Sequence, residues 1–198
     1  MNFEQFCLII NDLLPKPMEI LPEHSLLNDL GLCSFDMMVL IVQIEEISEK
    51  NIDVSSMRNN MTVQELFTLI MMTDVCNLHC PYCFANEFVN KDKNEISAEA
   101  FKKAVNFIVG DGSHSSVGLI GGEPTVHSQF EHFMRELLID KRIQSVMVYT
   151  NGILMDRFWN VLCHPKTHLL INCNPPKDIG EKHFRHLCDN LHVLIEEK

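Results

Sequence analysis

Residues 71–88 read MMTDVCNLHCPYCFANEF and carry three cysteines, Cys76, Cys80 and Cys83, in the spacing C-x3-C-x2-C. They follow an apolar run that predicts a short buried strand. Three thiolates on one short loop can bind a single metal centre, and three protein ligands leave one coordination position for an exogenous ligand. The segment therefore predicts a metal or iron–sulfur centre directly after a strand. The alternatives are a zinc knuckle, with His79 or a distant residue as fourth ligand, and three unconnected cysteines.

A second polar motif, Gly121-Gly122-Glu123-Pro124, follows the apolar segment Val117–Ile120, which predicts another strand. Two glycines let a backbone approach a ligand closely. Glu123 supplies a carboxylate that can accept hydrogen bonds from an ammonium group. Taken alone, the same four residues also suit a surface turn.

Strands and helices alternate through the rest of the chain. Further strands are predicted over Val146–Tyr149, which leads into Thr150-Asn151-Gly152, and over Leu169–Ile171, which leads into Asn172-Cys173-Asn174. Helices are predicted over Ala98–Val109, Gln129–Ile139, Leu154–Leu162 and Lys182–Glu196. This alternation predicts an α/β fold with a parallel sheet of about four β/α units. Each polar motif falls just after a strand, where parallel barrels build their active sites.

Together the two motifs resemble those of radical S-adenosylmethionine (SAM) enzymes, whose fold is a partial parallel (β/α) barrel. The resemblance implies that Cys76, Cys80 and Cys83 ligate three irons of a catalytic [4Fe-4S] cluster, and that the fourth iron chelates the amino and carboxylate groups of SAM. It places Tyr82 near the adenine and Glu123 near the SAM amino group. The other residues that it assigns to SAM are Gly121, Gly122, Pro124, Thr150, Asn151, Asn172 and Asn174. The last four are also ordinary turn residues.

The reaction that this resemblance implies is reductive cleavage of SAM to a 5′-deoxyadenosyl radical, which abstracts hydrogen from a substrate. Flavodoxin or ferredoxin is the implied reductant. The radical SAM core usually has about six β/α units, so four units predict a truncated barrel over residues 69–198. A four-stranded sheet would also have an open edge, which proteins normally cover.

The composition and the charge of the chain narrow its function classes. Of its 198 residues 46% are hydrophobic, and the net charge of −11 argues against a general nucleic-acid binder. No apolar run is long enough to span a membrane, and the N-terminus does not read as a secretory signal. Eight cysteines without an export signal suggest thiols or metal ligands, so we expect a cytoplasmic protein.

Most of the negative charge lies at the N-terminal end, where residues 1–70 hold 11 acidic and three basic side chains. Residues 1–68 are predicted to form an acidic four-helix bundle. Ser34 stands at the start of the second helix, where a hydroxyl is an ordinary N-cap. The segment LNDLGLCSFDMMVLIVQIEE, which surrounds Ser34, resembles the phosphopantetheine-attachment segment of acyl carrier proteins.

The carrier resemblance implies that Ser34 receives a 4′-phosphopantetheine arm. Amides and the dipole at a helix N-terminus would favour its phosphodiester. The implied partners are a phosphopantetheinyl transferase and an enzyme that loads an acyl or aminoacyl group. The substrate of the radical chemistry is then predicted to be a carrier-tethered group or a peptide. The alternative function is an acyl carrier protein whose cluster-binding half is a non-catalytic remnant.

The junction between the two parts is tight. The capping box Thr62–Glu65 predicts a last carrier helix whose apolar face runs over Val63–Ile70. The first strand of the radical SAM part is predicted over Phe67–Met72. Because one segment cannot be both, the sequence predicts that one of the two parts is compromised at a join between sequences of separate origin.

Overall fold

The structure, a computed structural model, describes residues 3–32, 36, 39–40, 43–44, 62–63, 67–81, 83, 89–90, 93–110, 112 and 114–197. Two of the predicted cofactor residues, Ser34 and Tyr82, lie outside this set. The chain divides into two compact units, Met1–Leu69 and Ile70–Lys198. This division lies one residue from the predicted boundary between residues 68 and 69.

The first unit is built around helix α1, Phe3–Leu13, which buries Phe6 and Ile10 on one face. Glu4 lies in its first turn, where the helix dipole favours a carboxylate. Among the described residues, nine buried apolar side chains form its core: Phe6, Ile10, Leu26, Leu30, Leu32, Leu40, Ile44, Val63 and Phe67. The described residues 36, 39–40, 43–44, 63 and 67 are also helical. The carrier-like four-helix bundle stays a prediction, because most of its second and third helices lie outside the described residues.

At the junction, the helical residues end earlier and the strand begins later than the sequence predicts. Phe67 is helical and 8% exposed, and its ring lies 5.3 Å from that of Phe3 and 5.5 Å from that of Phe6. Strand β1 follows at Leu69–Met71. The predicted strand therefore began too early and the predicted helix ended too late. The physical reason is that Phe67 belongs to the aromatic core of the first unit, so the strand begins only after it.

The second unit contains a four-stranded sheet in the order β1-β2-β3-β4. Strand β2 is Ser116–Ile120, β3 is Ser145–Thr150 and β4 is Thr167–Ile171. The β2–β3 and β3–β4 pairs are parallel, and the amide of Met72 donates to Ile120 O at 2.7 Å beside β1. The strands predicted over Val117–Ile120, Val146–Tyr149 and Leu169–Ile171 are present and one or two residues longer than predicted, whereas β1 is three residues shorter than its predicted run. The α/β class predicted from the alternation is thereby confirmed.

The helices of the second unit are α2 (Ala98–Val109), α3 (Phe130–Ile139), α4 (Trp159–Leu162), α5 (Pro176–Ile179) and α6 (Glu181–Glu197). The single helix predicted over Leu154–Leu162 is wrong. A 3-10 turn at Met155–Arg157 precedes α4, because Phe158 between them leaves helical geometry, at φ −134° and ψ 20°. Its ring packs edge-on against Phe130, with the centroids 4.9 Å apart.

The main core lies where the sheet meets α2 and α3. Val117, Leu119, Val146 and Val148 from β2 and β3 are fully buried there with side chains of both helices. The rings of Phe101 and Phe133 stack at a centroid distance of 4.1 Å. This packing fixes the strands whose ends carry the polar motifs.

Within the described residues, no helix has the length and apolar character to cross a membrane.

Candidate active site at the strand ends

The loop after β2 lies directly against the segment that leads into the cysteines. The amide of Gly122 donates to Thr73 O at 2.8 Å, and that of Glu123 donates to Val75 O at 2.9 Å. A Cβ on Gly121 would lie 2.5 Å from Thr73 O, and one on Gly122 would lie 2.5 Å from Val75 O. Both neighbours are backbone atoms, so both positions need glycine. The glycines therefore allow this close approach of two loops of the same chain.

The side chain of Glu123 points into the protein and is 1% exposed. Its Oε1 accepts from the amide (3.1 Å) and hydroxyl (2.6 Å) of Thr125 and from the hydroxyl of Thr150 (2.7 Å). Its Oε2 accepts from the amide of Asn151 at 2.7 Å. Burial raises the pKa of this carboxyl group, and the four hydrogen bonds oppose that shift. The surface-turn alternative for this motif is wrong.

Asn151 connects the loop after β3 to the cysteine loop. Its main-chain amide is held by Glu123, and its Oδ1 accepts from the amide of Ile153 at 3.1 Å. Its Nδ2 donates to Asn77 Oδ1 at 2.8 Å and lies 4.0 Å from Cys76 Sγ. The loops after β1, β2 and β3 thus share one buried polar network.

Side-chain amides also hold the cysteine loop at two further points. Asn90 makes a reciprocal pair with the main chain of Cys76: its Oδ1 accepts from the Cys76 amide and its Nδ2 donates to the Cys76 carbonyl, both at 3.0 Å. Asn174, which follows β4, donates from Nδ2 to Cys80 Sγ at 3.4 Å. The amide of Cys83 donates to Cys80 O at 3.0 Å and closes a turn. The loop is thus tied to the ends of several strands.

The thiol of Cys76 is partly buried, and burial raises its pKa to about 11. The amide of Leu78, 3.4 Å from Sγ, lowers the pKa, whereas Glu123, Cys80 and Cys83 raise it. This thiol is therefore neutral near pH 7 unless a cation lies beside it. A bound metal supplies such a charge and deprotonates a coordinating thiol.

The residues present fit an iron–sulfur cluster by their chemistry. Cys76, Cys80 and Cys83 are all free thiols on one loop, and amide groups already donate to two of their sulfur atoms. Hydrogen bonds to sulfur are a usual feature of cluster sites. Within the described part of the chain, no three His, Cys, Asp or Glu side chains stand in a preformed metal-binding arrangement. His79, the fourth ligand of the zinc alternative, is exposed.

The structure brings most of the predicted site residues together. These residues lie at the strand ends or in the loops that follow: Gly121, Gly122, Glu123, Thr150, Asn151, Asn174 and the three cysteines. Pro124 is buried and begins a 3-10 turn, Pro124–Val126. Asn172 is exposed, and its amide donates to Thr150 O at 2.9 Å.

Sequence reasoning missed four polar residues that hold these loops: Thr73, Asn90, Thr125 and Asn190. Asn190 is 3% exposed and donates to Gly152 O at 2.9 Å. Thr125 lies two residues after Glu123, so the capping pattern Glu-x-Thr could have indicated it. Nothing in the local sequence distinguishes Asn90 or Asn190 from surface asparagines.

Comparison with known proteins defines the class of this chain. Residues 70–187, more than half of the chain, match the model of the radical SAM superfamily. The chain belongs to that superfamily and is an enzyme of the radical SAM class. The family implies a [4Fe-4S] cluster and SAM as cofactors.

The chain is similar to curated proteins named as GTP 3′,8-cyclases and as molybdenum cofactor biosynthesis proteins. The chain is 35% identical over 95 residues to a GTP 3′,8-cyclase of Alkaliphilus oremlandii, covering 47% of this chain and 29% of that protein. It is 28% identical over 88 residues to a GTP 3′,8-cyclase of Photorhabdus laumondii, covering 44% and 27%. It is 31% identical over 98 residues to the molybdenum cofactor biosynthesis protein moc-5 of Caenorhabditis elegans, covering 48% and 16%. The match thus spans less than a third of each relative.

Proposed function

We propose that this chain binds a [4Fe-4S] cluster through Cys76, Cys80 and Cys83, and binds SAM beside it at the ends of the strands. When bound, this pair supplies reductive cleavage of SAM, whose 5′-deoxyadenosyl radical abstracts hydrogen from a substrate. The observation that carries the proposal is the buried network that joins the cysteine loop to Glu123 and Asn151. A cysteine loop without a functional partner would not need such anchoring.

The residues of the network have separate tasks in this proposal. Asn90 holds the main chain of Cys76, and Asn151 holds the side chain of the adjacent Asn77. The glycines allow the loop after β2 to pack against residues 73–75, where a Cβ would clash with main-chain oxygens. The hydroxyls and amides around Glu123 supply the hydrogen bonds that its buried carboxylate would otherwise need from water. These tasks are positioning tasks, and the cysteines are the ligands.

Glu123 is proposed to act as an anchor for its loop. Its two oxygens have room for about four donors, and the chain itself supplies four. Three of these donors lie on Oε1 and one on Oε2, and the side chain is buried. Because of this burial, we assign the contact with the SAM amino group to the neighbouring backbone carbonyls. In Glu123→Gln the new amide cannot accept from all four donors. The apo protein, without SAM or iron, should lose about 1–3 kcal/mol of stability. Unchanged apo stability combined with weaker SAM binding would return the direct role to the carboxylate.

Anaerobic reconstitution tests the cluster. The wild-type chain should retain about four irons and release 5′-deoxyadenosine from SAM after reduction. Each of Cys76→Ala, Cys80→Ala and Cys83→Ala should lose the iron. Cys173→Ala is the matched control, because this cysteine is exposed and follows β4 rather than β1. Equal iron retention in the four variants, or stoichiometric zinc in its place, contradicts the proposal.

The substrate is proposed to be a carrier-tethered group or a peptide, as the sequence predicts. The names of the relatives offer GTP as a competing substrate. Release of 5′-deoxyadenosine can be compared with GTP, with a pantetheine thioester and with no addition, using dithionite and then flavodoxin or ferredoxin as reductant. Stimulation by GTP alone overturns the carrier and peptide proposal.

The carrier function of the first unit is a separate proposal. It is supported by the segment around Ser34 and by the acidic character of residues 1–70. Incubation with coenzyme A and a phosphopantetheinyl transferase, followed by intact-mass measurement, should add one phosphopantetheine to the wild-type chain and none to Ser34→Ala. No addition to the wild type contradicts it. A modified, iron-free chain without SAM cleavage would favour the alternative of a carrier with a non-catalytic remnant.

A further inference from the structure

The side chain of Asn174 makes a contact with a cysteine sulfur that the turn around Asn174 does not require. The residue follows β4 and is 3% exposed. The turn itself is closed by main-chain atoms, since the amide of Asn174 donates to Asn172 O at 3.1 Å. The side-chain Nδ2 reaches Cys80 Sγ at 3.4 Å, across 94 positions of sequence. The side chain therefore binds the cysteine loop rather than its own turn.

We infer that the side-chain amide of Asn174 donates a hydrogen bond to the Cys80 sulfur of the loaded protein and raises the reduction potential of its cluster. This inference rests on the proposed function, because it requires Cys80 to be a cluster ligand. It makes Asn174 a positioning residue, which changes the reduction potential of the cluster through its hydrogen bond to a ligand sulfur.

The direction of the effect follows from charge. Reduction adds one electron from an external donor to the cluster and its thiolate ligands, and no bond is made or broken. An N–H group that points at a ligand sulfur stabilises the added negative charge, so it favours the reduced form. The donor and the sulfur lie in a partly buried site, where water screens this interaction less than at the surface. Loss of the donor therefore lowers the potential.

The other amide contacts of the cysteine loop differ from this one. The amide of Leu78 also lies 3.4 Å from a cysteine sulfur, but it is a main-chain group that substitution does not remove. The Nδ2 of Asn151 lies 4.0 Å from Cys76 Sγ and donates at 2.8 Å to Asn77. Asn174 is therefore the described side chain with the shortest N–H···S contact to these cysteines.

The test is a potentiometric titration of the reconstituted cluster, followed by electron paramagnetic resonance (EPR) without SAM. Asn174→Leu removes the donor at similar volume, and Asn174→Asp replaces it with an acceptor and a negative charge. The matched control is Asn172→Ala, because Asn172 lies in the same loop but is exposed. We expect wild type and Asn172→Ala to have equal potentials, Asn174→Leu a lower one and Asn174→Asp the lowest. An unchanged or raised potential in Asn174→Leu overturns the inference.

A second measurement covers the case in which neither Asn174 variant holds a cluster. Wild-type protein and Asn172→Ala are labelled with 15N-asparagine and reduced, and pulsed EPR measures the coupling between the cluster and the side-chain nitrogen. Because Asn151 Nδ2 also lies 4.0 Å from a cysteine sulfur, the same label is placed in Asn151→Ser. A resolved 15N coupling in all three proteins supports the hydrogen bond, and its absence from any of them overturns it. Absence of any cluster in the wild type would instead be the failure of the proposed function.

Discussion

Gly152 offers the sharpest test of how the loop after β3 is held. Its φ is +77°, and an added Cβ would lie 2.5 Å from Leu187 Cδ1 and 3.1 Å from Ile171 Cγ2. A left-handed conformation costs an L residue about 1–2 kcal/mol, and forcing a methyl group into packed surroundings costs about 1–3 kcal/mol more. Gly152→Ala should therefore lower the free energy of unfolding by about 2–5 kcal/mol.

Gly112→Ala is the matched control for this substitution. Gly112 has nearly the same φ, +76°, but among the described residues no atom beyond its chain neighbours lies within 4 Å of its Cβ position. It should therefore lose only the conformational part, about 1–2 kcal/mol. Both substitutions reduce the entropy of the unfolded chain to a similar extent. The difference between the two variants, about 1–3 kcal/mol, isolates the crowding.

Urea unfolding measures this difference with a local probe. The chain has one tryptophan, Trp159, which lies in the second unit and packs against its core. Its fluorescence therefore reports the unfolding of the unit that contains both glycines. Linear extrapolation gives the free energy of unfolding, and the slopes of the two variants should agree. Equal destabilisation by the two substitutions would refute the argument from crowding.

Three further predictions concern the second unit. Phe133→Ala removes a fully buried, stacked ring and should cost about 3–5 kcal/mol in the same urea titration. Asn190→Leu leaves the carbonyls of Gly152 and its neighbour without their donor and should cost about 1–3 kcal/mol in a thermal melt. The Arg142 guanidinium lowers the pKa of Asp140, whose ordinary value is 3.8. The free energy of unfolding of wild type should exceed that of Arg142→Leu by less than ~1 kcal/mol. This difference should be present above pH 3.8 and should be lost as the pH falls through the lowered pKa of Asp140. The hydrogen bond from Arg142 to Asn106 does not titrate, so a difference of equal size at pH 7 and pH 2 contradicts this origin.

The sequence predicts the strands and the cysteine loop well, because both depend on local signals. Apolar runs of three or four residues mark β2, β3 and β4, and the cysteine spacing marks the loop after β1. The error over Leu154–Leu162 has a tertiary cause, since Phe158 leaves helical geometry and packs against Phe130. A helical pattern of apolar residues cannot show that such a contact interrupts it. The junction error at Phe67 is of the same kind.

The partners of the site residues could not be predicted, because they depend on which loops meet at the end of the sheet. The sequence predicts that Glu123 faces an ammonium group, but it does not indicate that its carboxylate accepts from Thr125, Thr150 and Asn151. Its position after a strand is a local property. The direction of its side chain is set by donors from another strand end, 27 and 28 residues away.

This network makes cluster retention and the stability of the second unit interdependent. Glu123 and Asn151 join loops that are distant in sequence, so the cysteine loop takes its position only when the sheet is formed. Metal binding to such a site contributes to folding, because the unfolded chain has no equivalent arrangement. Iron loss in a variant of Glu123 or Asn151 can therefore arise in two ways, from an unfolded sheet or from a displaced cysteine loop. The stability of the apo protein separates them: a displaced loop leaves the apo sheet stable, and a broken network does not.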